Sequence, residues 1–292
     1  MLPERAGARE GRDETETEKR LIGKLLAGNA IISIDNATQP IDGDLLCQML
    51  TQQLVSVRSL GASKIVIVPT SMVVCATGNN LVIAGDMTRR ALLCQLDANA
   101  ERPELRQFDF DPLEVAEAGR AKYLIAALTV LRAFFCAGLP QRAPKLGSFE
   151  RWGELVRGAV LWLGMADPVG TMERARKADP KLECLRNVME QWSAVFRDNA
   201  KKVREVIDTA AKEAFPPNGS RYEYPDLREA LLVAAGSNGA INSAKLGHYL
   251  QGASGRIVKG RRFIKSGEYQ GTGLWKLEQV DGAGIPVEGP PL

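Results

Sequence analysis

Two short apolar runs that end in polar residues constrain the fold of this chain more than any other feature. IISIDN occupies residues 31–36, and MVVCATGNN occupies residues 72–80. Each run has the length of a buried strand, and near-continuous apolar strands are typical of a parallel α/β sheet. Because ligands bind at the carboxyl ends of the strands in such sheets, we expect Asp35 and Asn79 or Asn80 to converge at one site.

The residue types at these strand ends suit a nucleotide site. An apolar strand that ends in an acidic residue, here Asp35, has the form of a Walker B element, whose carboxylate binds Mg²⁺ beside nucleotide phosphates. An amide from Asn79 or Asn80 has the chemistry of a sensor-1 residue, which bonds the attacking water or the γ-phosphate. Arg89 and Arg90 are suited to stabilise charge on a transferred phosphoryl group, within a subunit or from a neighbour. A plain turn at the asparagines and an exposed arginine pair are the alternatives.

The composition excludes several classes of function. The 292 residues include one His and five widely spaced Cys, with no CxxC pair. We therefore expect neither a Cys/His zinc site nor a Ser-His-Asp or Cys-His catalytic centre. No run approaches the roughly 20 apolar residues that cross a bilayer, and the charged first twenty residues lack the apolar core of a secretory signal. We exclude a membrane protein and expect reduced thiols and a cytoplasmic location.

The chain is expected to fall into successive segments. Residues 1–20 form a charged N-terminal segment, and an α/β core extends over 21–142. Apolar residues at helical spacing predict a helical region over 143–220. A small α+β module follows over 221–281, and the Gly- and Pro-rich end, 282–292, is predicted to be a disordered tail.

The module over 221–281 is the segment best suited to a polyanion, since the window 256–265 holds five basic residues and no acidic one. Two short helices followed by a hairpin around Lys259-Gly260 suggest a winged-helix-like arrangement. On that interpretation the second helix faces nucleic acid through Lys245, His248 and Gln251, and the wing contacts phosphates through Arg256, Lys259, Arg261 and Arg262. Contact with protein and a merely solvated hairpin remain alternatives.

Six segments closely resemble prophage and mobile-element primase–helicase proteins. The most specific parts are ATGNN and DMTRR, within 76–90. The resemblance implies a partial P-loop (AAA+/RecA-like) ATPase core, followed by a helical region and a winged-helix-like module. The six segments are EKRLIGKLLAGNAIISIDN (18–36), LTQQLVSVRSLGASKIVIVP (50–69), ATGNNLVIAGDMTRR (76–90), LDANAERPELR (96–106), GSFERWGELVRGAVLWLGMADPV (147–169) and AINSAKLGHYLQGASGRIVKGRRFIKSG (240–267).

The resemblance also implies roles for the strand-end residues. Asp35 corresponds to Walker B, Asn79 or Asn80 to sensor 1, and Arg89 or Arg90 to an arginine-finger-type residue. Family members couple ATP hydrolysis to DNA unwinding or remodelling during replication of the element. ATP and Mg²⁺ are therefore the expected cofactors, DNA is the expected partner, and a homo-oligomeric ring is the expected assembly.

A basic hairpin is a further expected DNA contact. LVSVRSLGASKIVIV (54–68) is predicted to form two short strands around Gly61, with Arg58 and Lys64 near the turn. In related ring helicases a hairpin before sensor 1 projects into the central channel, so the resemblance makes Arg58 and Lys64 candidates for backbone contact. An ordinary structural hairpin is the alternative.

Two departures from the family pattern limit the expected activity. The chain has no G-x-x-x-x-G-K-[ST] loop to cradle phosphates, its one Gly-Lys pair being Gly23-Lys24. Asn36 follows Asp35 in place of an acidic residue, and an amide cannot accept the proton of an attacking water. We therefore expect no ATP hydrolysis by this chain alone, and expect the P-loop to come from a longer protein or an N-terminal P-loop-bearing partner. The alternatives are a non-catalytic DNA-binding or assembly protein of a mobile element, and a decayed or mis-started gene product.

Overall fold

The computed structural model describes residues 6–9, 14–58, 64–140, 143–215, 221–269 and 272–281, so the predicted tail at 282–292 lies outside the described residues. The fold is mixed α/β, as expected. The chain divides into an N-terminal unit that ends at Ala178 and a C-terminal unit that begins at Asp179. Within the described ranges, no helix has the length and apolar composition needed to cross a membrane.

The N-terminal unit combines a parallel sheet, a hairpin and several helices. It also contains 3₁₀ turns at Gly85–Arg89 and Pro103–Leu105 and a π turn at Gly153–Arg157. The helices and strands are, in chain order, β1 (Ala6–Arg9), α1 (Glu14–Leu26), β2 (Ile31–Asp35), α2 (Asp44–Thr51), β3 (Leu54–Arg58), β4 (Ile65–Pro69), β5 (Val73–Ala76), α3 (Pro112–Ala118), α4 (Arg120–Cys136), α5 (Glu150–Trp152), α6 (Gly158–Trp162) and α7 (Gly170–Lys177).

The parallel sheet has the strand order β1-β2-β5. β2 and β5 are hydrogen-bonded neighbours in parallel register, with Ile31 opposite Val73 and Ile34 opposite Ala76. The pairing confirms that the two apolar runs lie side by side and end at the same edge. Ile32 and Ile34 are buried in the core against the helices. β1 lies within the segment that the sequence suggested was only a charged extension.

The hairpin predicted over 54–68 is present as β3 and β4, which pair antiparallel with Arg58 opposite Ile65. Its turn, including Gly61, lies outside the described residues. The strands alternate: Val55, Val57 and Val68 are buried, whereas the opposite face carries exposed Leu54, Ile65 and Ile67. The alternation is that of a sheet with one face on the core, and the exposed face is unusually apolar.

Helix α4 is apolar on all sides and is mostly exposed. Phe134 is its one buried residue among those described, whereas Leu124, Ile125 and Leu128 are exposed. An all-round apolar helix is typical of the interior of a larger assembly. In the part of the chain that the structure describes, most of the apolar surface of α4 is uncovered.

The C-terminal unit contains α8 (Pro180–Phe196), β6 (Lys201–Lys202), α9 (Val203–Ala210), α10 (Pro225–Ala235), β7 (Gly236–Ser237), β8 (Ala240–Ile241), α11 (Ser243–Ala253), β9 (Arg261–Tyr269) and β10 (Thr272–Gln279). Asp179 and Pro180 begin helix α8: the Asp179 carboxylate accepts the backbone N–H of Lys181 at 2.9 Å, and a proline suits the first helical position. The longer strands form an antiparallel sheet in the order β6-β10-β9.

The core of this unit unites segments that the sequence assigned to two domains. The apolar face of α8 is buried together with Leu227 and Leu231 of α10 and with Phe263 of β9. The boundary expected between 220 and 221 therefore does not separate compact units; the division lies between Ala178 and Asp179. The reason is that the apolar face of α8 needs α10 and the sheet to cover it.

The turn predicted at Lys259-Gly260 is present, but it does not join the two long strands of a wing. Lys259 and Gly260, with φ values of 48° and 73°, form a two-residue turn closed by hydrogen bonds between Val258 and Arg261. This turn precedes the long hairpin β9–β10 and is not its tip. β9 pairs along most of its length with β10, where Phe263 lies opposite the buried Leu277, and it meets the residues before the turn only at single bridges.

Candidate functional site

A hydrogen-bonded pair of side chains joins the carboxyl ends of β2 and β5. The hydroxyl of Thr77, the residue after β5, donates to Asp35 Oδ1 at 2.5 Å and accepts the backbone N–H of Asn36 at 3.2 Å. The backbone N–H of Ala37 donates to the Thr77 carbonyl at 2.7 Å. Asp35, Asn36 and Thr77 are all exposed to solvent. The edge thus presents an oriented carboxylate beside a hydroxyl.

The backbone at this edge explains three residue choices. Asn36 and Asn80 have φ values of 55° and 53°, in the left-handed region where Asn is favoured over most residues. A Cβ on Gly78 would lie 2.5 Å from the carbonyl oxygen of Ala37. Gly78 therefore permits the close approach of the two strand ends.

Replacing Gly78 by alanine is expected to lower the free energy of unfolding of the N-terminal unit by about 1–3 kcal/mol, because the added methyl overpacks against backbone. Urea denaturation followed by circular dichroism measures the change. Gly23→Ala is the matched control, since a Cβ there meets nothing within 4 Å. Equal effects of the two substitutions would contradict the described approach of the strand ends.

Asn79 and Asn80 follow Gly78 in an exposed turn on the strand next to Asp35. Their convergence with Asp35 stays a prediction, since the hydrogen bonds described at this edge are made by Thr77. Thr77, which contacts Asp35 directly, was missed by the sequence analysis. The parallel register would have revealed it, because the residue after Ala76 must lie opposite the residue after Ile34.

The two arginine-finger candidates, Arg89 and Arg90, differ in their exposure to solvent. Arg90 is 9% exposed and donates to the backbone carbonyl of Asp86 at 2.8 Å, whereas Arg89 is 57% exposed. Arg89 forms two hydrogen bonds with the Asp86 carboxylate, at 3.0 and 3.2 Å, which hold the pKa of Asp86 below its usual value. Arg90 is thus a structural group, and Arg89 is the candidate whose guanidinium reaches solvent. Neither bonds to Asp35 within the described residues.

The donor set at the sheet edge fits a magnesium–nucleotide only in part. Mg²⁺ takes carboxylate and other oxygen ligands and keeps several waters, so the Asp35 carboxylate, with Thr77 adjacent, is a suitable anchor. In the described part of the chain, no group of three or more His, Cys, Asp or Glu side chains is placed to hold a metal ion. The phosphates would have to supply further ligands.

The hairpin candidates lie as expected near one end of β3–β4. Arg58 is the last residue of β3, and Lys64 is the exposed residue just before β4. Their positions are compatible with a contact to a polyanion at the hairpin end.

Helix α11 carries the candidate groove residues on one exposed face. Lys245, His248 and Gln251 are exposed, whereas Leu246 and Leu250 are fully buried on the other side. The spacing of three residues aligns the exposed side chains along the helix.

Most of the predicted wing cations have acidic partners. Arg256 lies 4.0 Å from the buried Asp179 carboxylate, Lys259 lies 2.7 Å from Glu190, and Arg262 lies 2.6 Å from Glu278 across the hairpin. Within the described residues, Arg261 alone of the four has no ion pair.

Comparison with known proteins adds no identification: neither a protein-family model nor a curated protein matches this chain. The class defined by the structure is a two-unit mixed α/β protein.

Proposed function

We propose that this chain is the C-terminal part of a prophage-type replication helicase or primase ATPase. It binds DNA and contributes Asp35, Asn79 or Asn80, and Arg89 to an ATP site whose phosphate cradle lies in another segment or chain. The observation that carries the proposal is the parallel pairing of β2 with β5, in which Asp35 and Thr77 form a hydrogen bond at one open sheet edge.

Each residue has a defined task in this proposal. Asp35 holds Mg²⁺, and Thr77 fixes the orientation of its carboxylate. The exposed asparagines orient water or phosphate, and Arg89 neutralises charge, in the same subunit or from a neighbouring one. When bound, Mg²⁺–ATP supplies the phosphoryl group.

The exposed apolar surface of the N-terminal unit supports the proposal that another segment packs against it. All but four of the exposed large hydrophobic side chains in the described residues precede residue 179. Strand β5 is at the edge of the described sheet, and its Val73 is 60% exposed. Parallel sheets are normally covered on all sides, so an added strand beside β5 and added helices would bury this surface. A P-loop-bearing segment that completes the sheet would provide both the added strand and the covering helices.

An ATPase assay tests the nucleotide part of the proposal. The purified chain is expected to show no turnover above background with Mg²⁺–ATP, and Asp35→Ala is expected to leave that background unchanged. Turnover that disappears in Asp35→Ala would contradict the proposed need for an external P-loop. The DNA upstream of the start codon is expected to encode, in frame, a strand and a P-loop; a stop codon or unrelated sequence there favours the alternative below.

One observation favours a second candidate function, that of a non-catalytic DNA-binding or assembly protein. The C-terminal unit has its own core and carries the exposed Lys245, His248 and Gln251 on one face of α11, so the proposed DNA binding needs no nucleotide site. If ATP turnover does not appear even when the upstream P-loop segment is supplied, this second function is favoured.

A further inference from the structure

A cavity in the C-terminal unit carries an excess of positive charge. It measures about 290 Å³ and lies between α8 and the turn that precedes β9. Three cationic side chains and one carboxylate line it, together with two apolar residues: Arg186, Met189, Glu190, Val258, Lys259 and Arg261. Since net positive pockets attract anions, its lining indicates a ligand with more than one negative oxygen.

The fold holds the two walls of this cavity in place. Arg186 and Glu190 are one turn apart on α8, and the opposite wall is the tight turn that begins at the buried Val258. The Lys259 ammonium joins the walls through its 2.7 Å ion pair with Glu190. The cavity is therefore built on a helix and a closed turn.

Arg186, which lines the cavity, carries an unsatisfied buried donor. Its Nε is buried and, among the described residues, has no hydrogen-bond partner. A buried donor without an acceptor is costly, and native proteins pair almost all such groups. Because the Nε is enclosed, an anion in the cavity would accept this hydrogen bond only after the Arg186 side chain turns toward it.

We propose that this cavity binds a phosphate group, with Arg186 as the inner donor and Lys259 and Arg261 at its mouth. A guanidinium donates two parallel hydrogen bonds to phosphate oxygens, which makes arginine the appropriate inner residue. The phosphate comes either from a nucleic-acid backbone or from a free phosphate compound. In its nucleic-acid form the inference rests on the proposed DNA binding; the cavity itself does not depend on the ATP site.

The test uses the full chain and two probes, a short fluorescein-labelled DNA duplex followed by anisotropy and inorganic phosphate followed by calorimetry. Arg186→Gln is expected to weaken binding about tenfold, the effect of losing a charge-assisted hydrogen bond. Arg204→Gln is the matched control, because Arg204 is 85% exposed on α9 and pairs only loosely with Asp208 at 3.7 Å. Glu190→Gln is expected to tighten binding, since it removes the carboxylate and releases Lys259.

The outcomes separate the sources of phosphate. A selective loss of duplex affinity in Arg186→Gln supports a backbone phosphate, whereas a selective loss of inorganic phosphate binding with unchanged duplex affinity supports a free phosphate compound. Equal weakening by Arg186→Gln and Arg204→Gln, or no binding of either probe, overturns the proposal. If the Arg186→Gln variant does not fold, Arg261→Gln takes its place: it is expected to weaken binding, whereas Glu190→Gln is expected to tighten it. Duplex binding that every cavity variant retains, with no phosphate binding, refutes the cavity while leaving the proposed DNA function intact.

Discussion

Replacing Trp192 by alanine is expected to lower the free energy of unfolding of the C-terminal unit by about 3–5 kcal/mol. Trp192 is fully buried on α8, and its ring meets Phe196 and Phe263 edge-on, with centroids 5.2 and 5.1 Å apart. Alanine removes these contacts and leaves a cavity where the helix meets the sheet. Because β9 carries Phe263, the residues that follow the basic turn lose their support as well.

Urea denaturation followed by far-ultraviolet circular dichroism measures this effect. Trp162→Ala is the matched control: the same side chain is lost, but Trp162 is 43% exposed and touches Phe134 at a centroid distance of 5.8 Å. Its substitution is expected to cost about 1–2 kcal/mol, well below the cost at Trp192, and to affect only the N-terminal unit. Equal costs for the two substitutions would show that the core of the C-terminal unit is wrongly assigned.

The sequence could predict the features that depend on local pattern. The runs at 31–36 and 72–80 each predict a buried strand that ends in polar residues. Both strands are present, as β2 and β5, but only β2 has buried residues, because β5 lies at the sheet edge with Val73 exposed. Their parallel pairing followed from the rule that such runs form parallel sheets. The buried face of α8 could be predicted as well, because apolar residues at helical spacing mark the buried side of a helix whichever element covers it.

Features that depend on distant partners could not be predicted. Thr77 became visible only through the register that places it beside Asp35. The two arginines at 89 and 90 are adjacent in sequence, so composition could not tell that one is buried and the other exposed. The boundary predicted at 220/221 was misplaced for the same reason. The apolar residues of α8 show that one face of the helix is buried, but they do not show that α10 covers it.

The location of the predicted wing shows how a strong local signal misleads. Lys259-Gly260 does form a hairpin-type turn, with both residues at positive φ. However, β9, the strand after the turn, pairs mainly with β10, because this pairing places Phe263 opposite Leu277 and buries both side chains. Burial therefore outweighs turn chemistry in setting the register.

The affinity of the full chain for duplex DNA is expected to fall about 10²-fold between about 50 and 200 mM salt, the loss that release of counterions from about four phosphates produces. Among the contacts expected to contribute are the exposed Lys245 on α11 and Arg261, which has no ion pair within the described residues. The full chain is needed because a fragment over 221–282 would lack α8 and α9 and cut through the core. Anisotropy titrations at several salt concentrations measure the slope.

Substitutions then separate phosphate contacts from structural pairs. Lys245→Ala is expected to reduce the magnitude of the salt slope by about one, as expected for loss of one phosphate contact. Lys212→Ala removes the same charge from a side chain paired with Glu223 at 2.6 Å, and is expected to leave the slope unchanged. Arg262→Ala is expected to act in the same way, because its guanidinium is engaged by Glu278. A slope near zero, or one that changes equally in all three variants, would mean that Lys245 on α11 does not contact the DNA backbone.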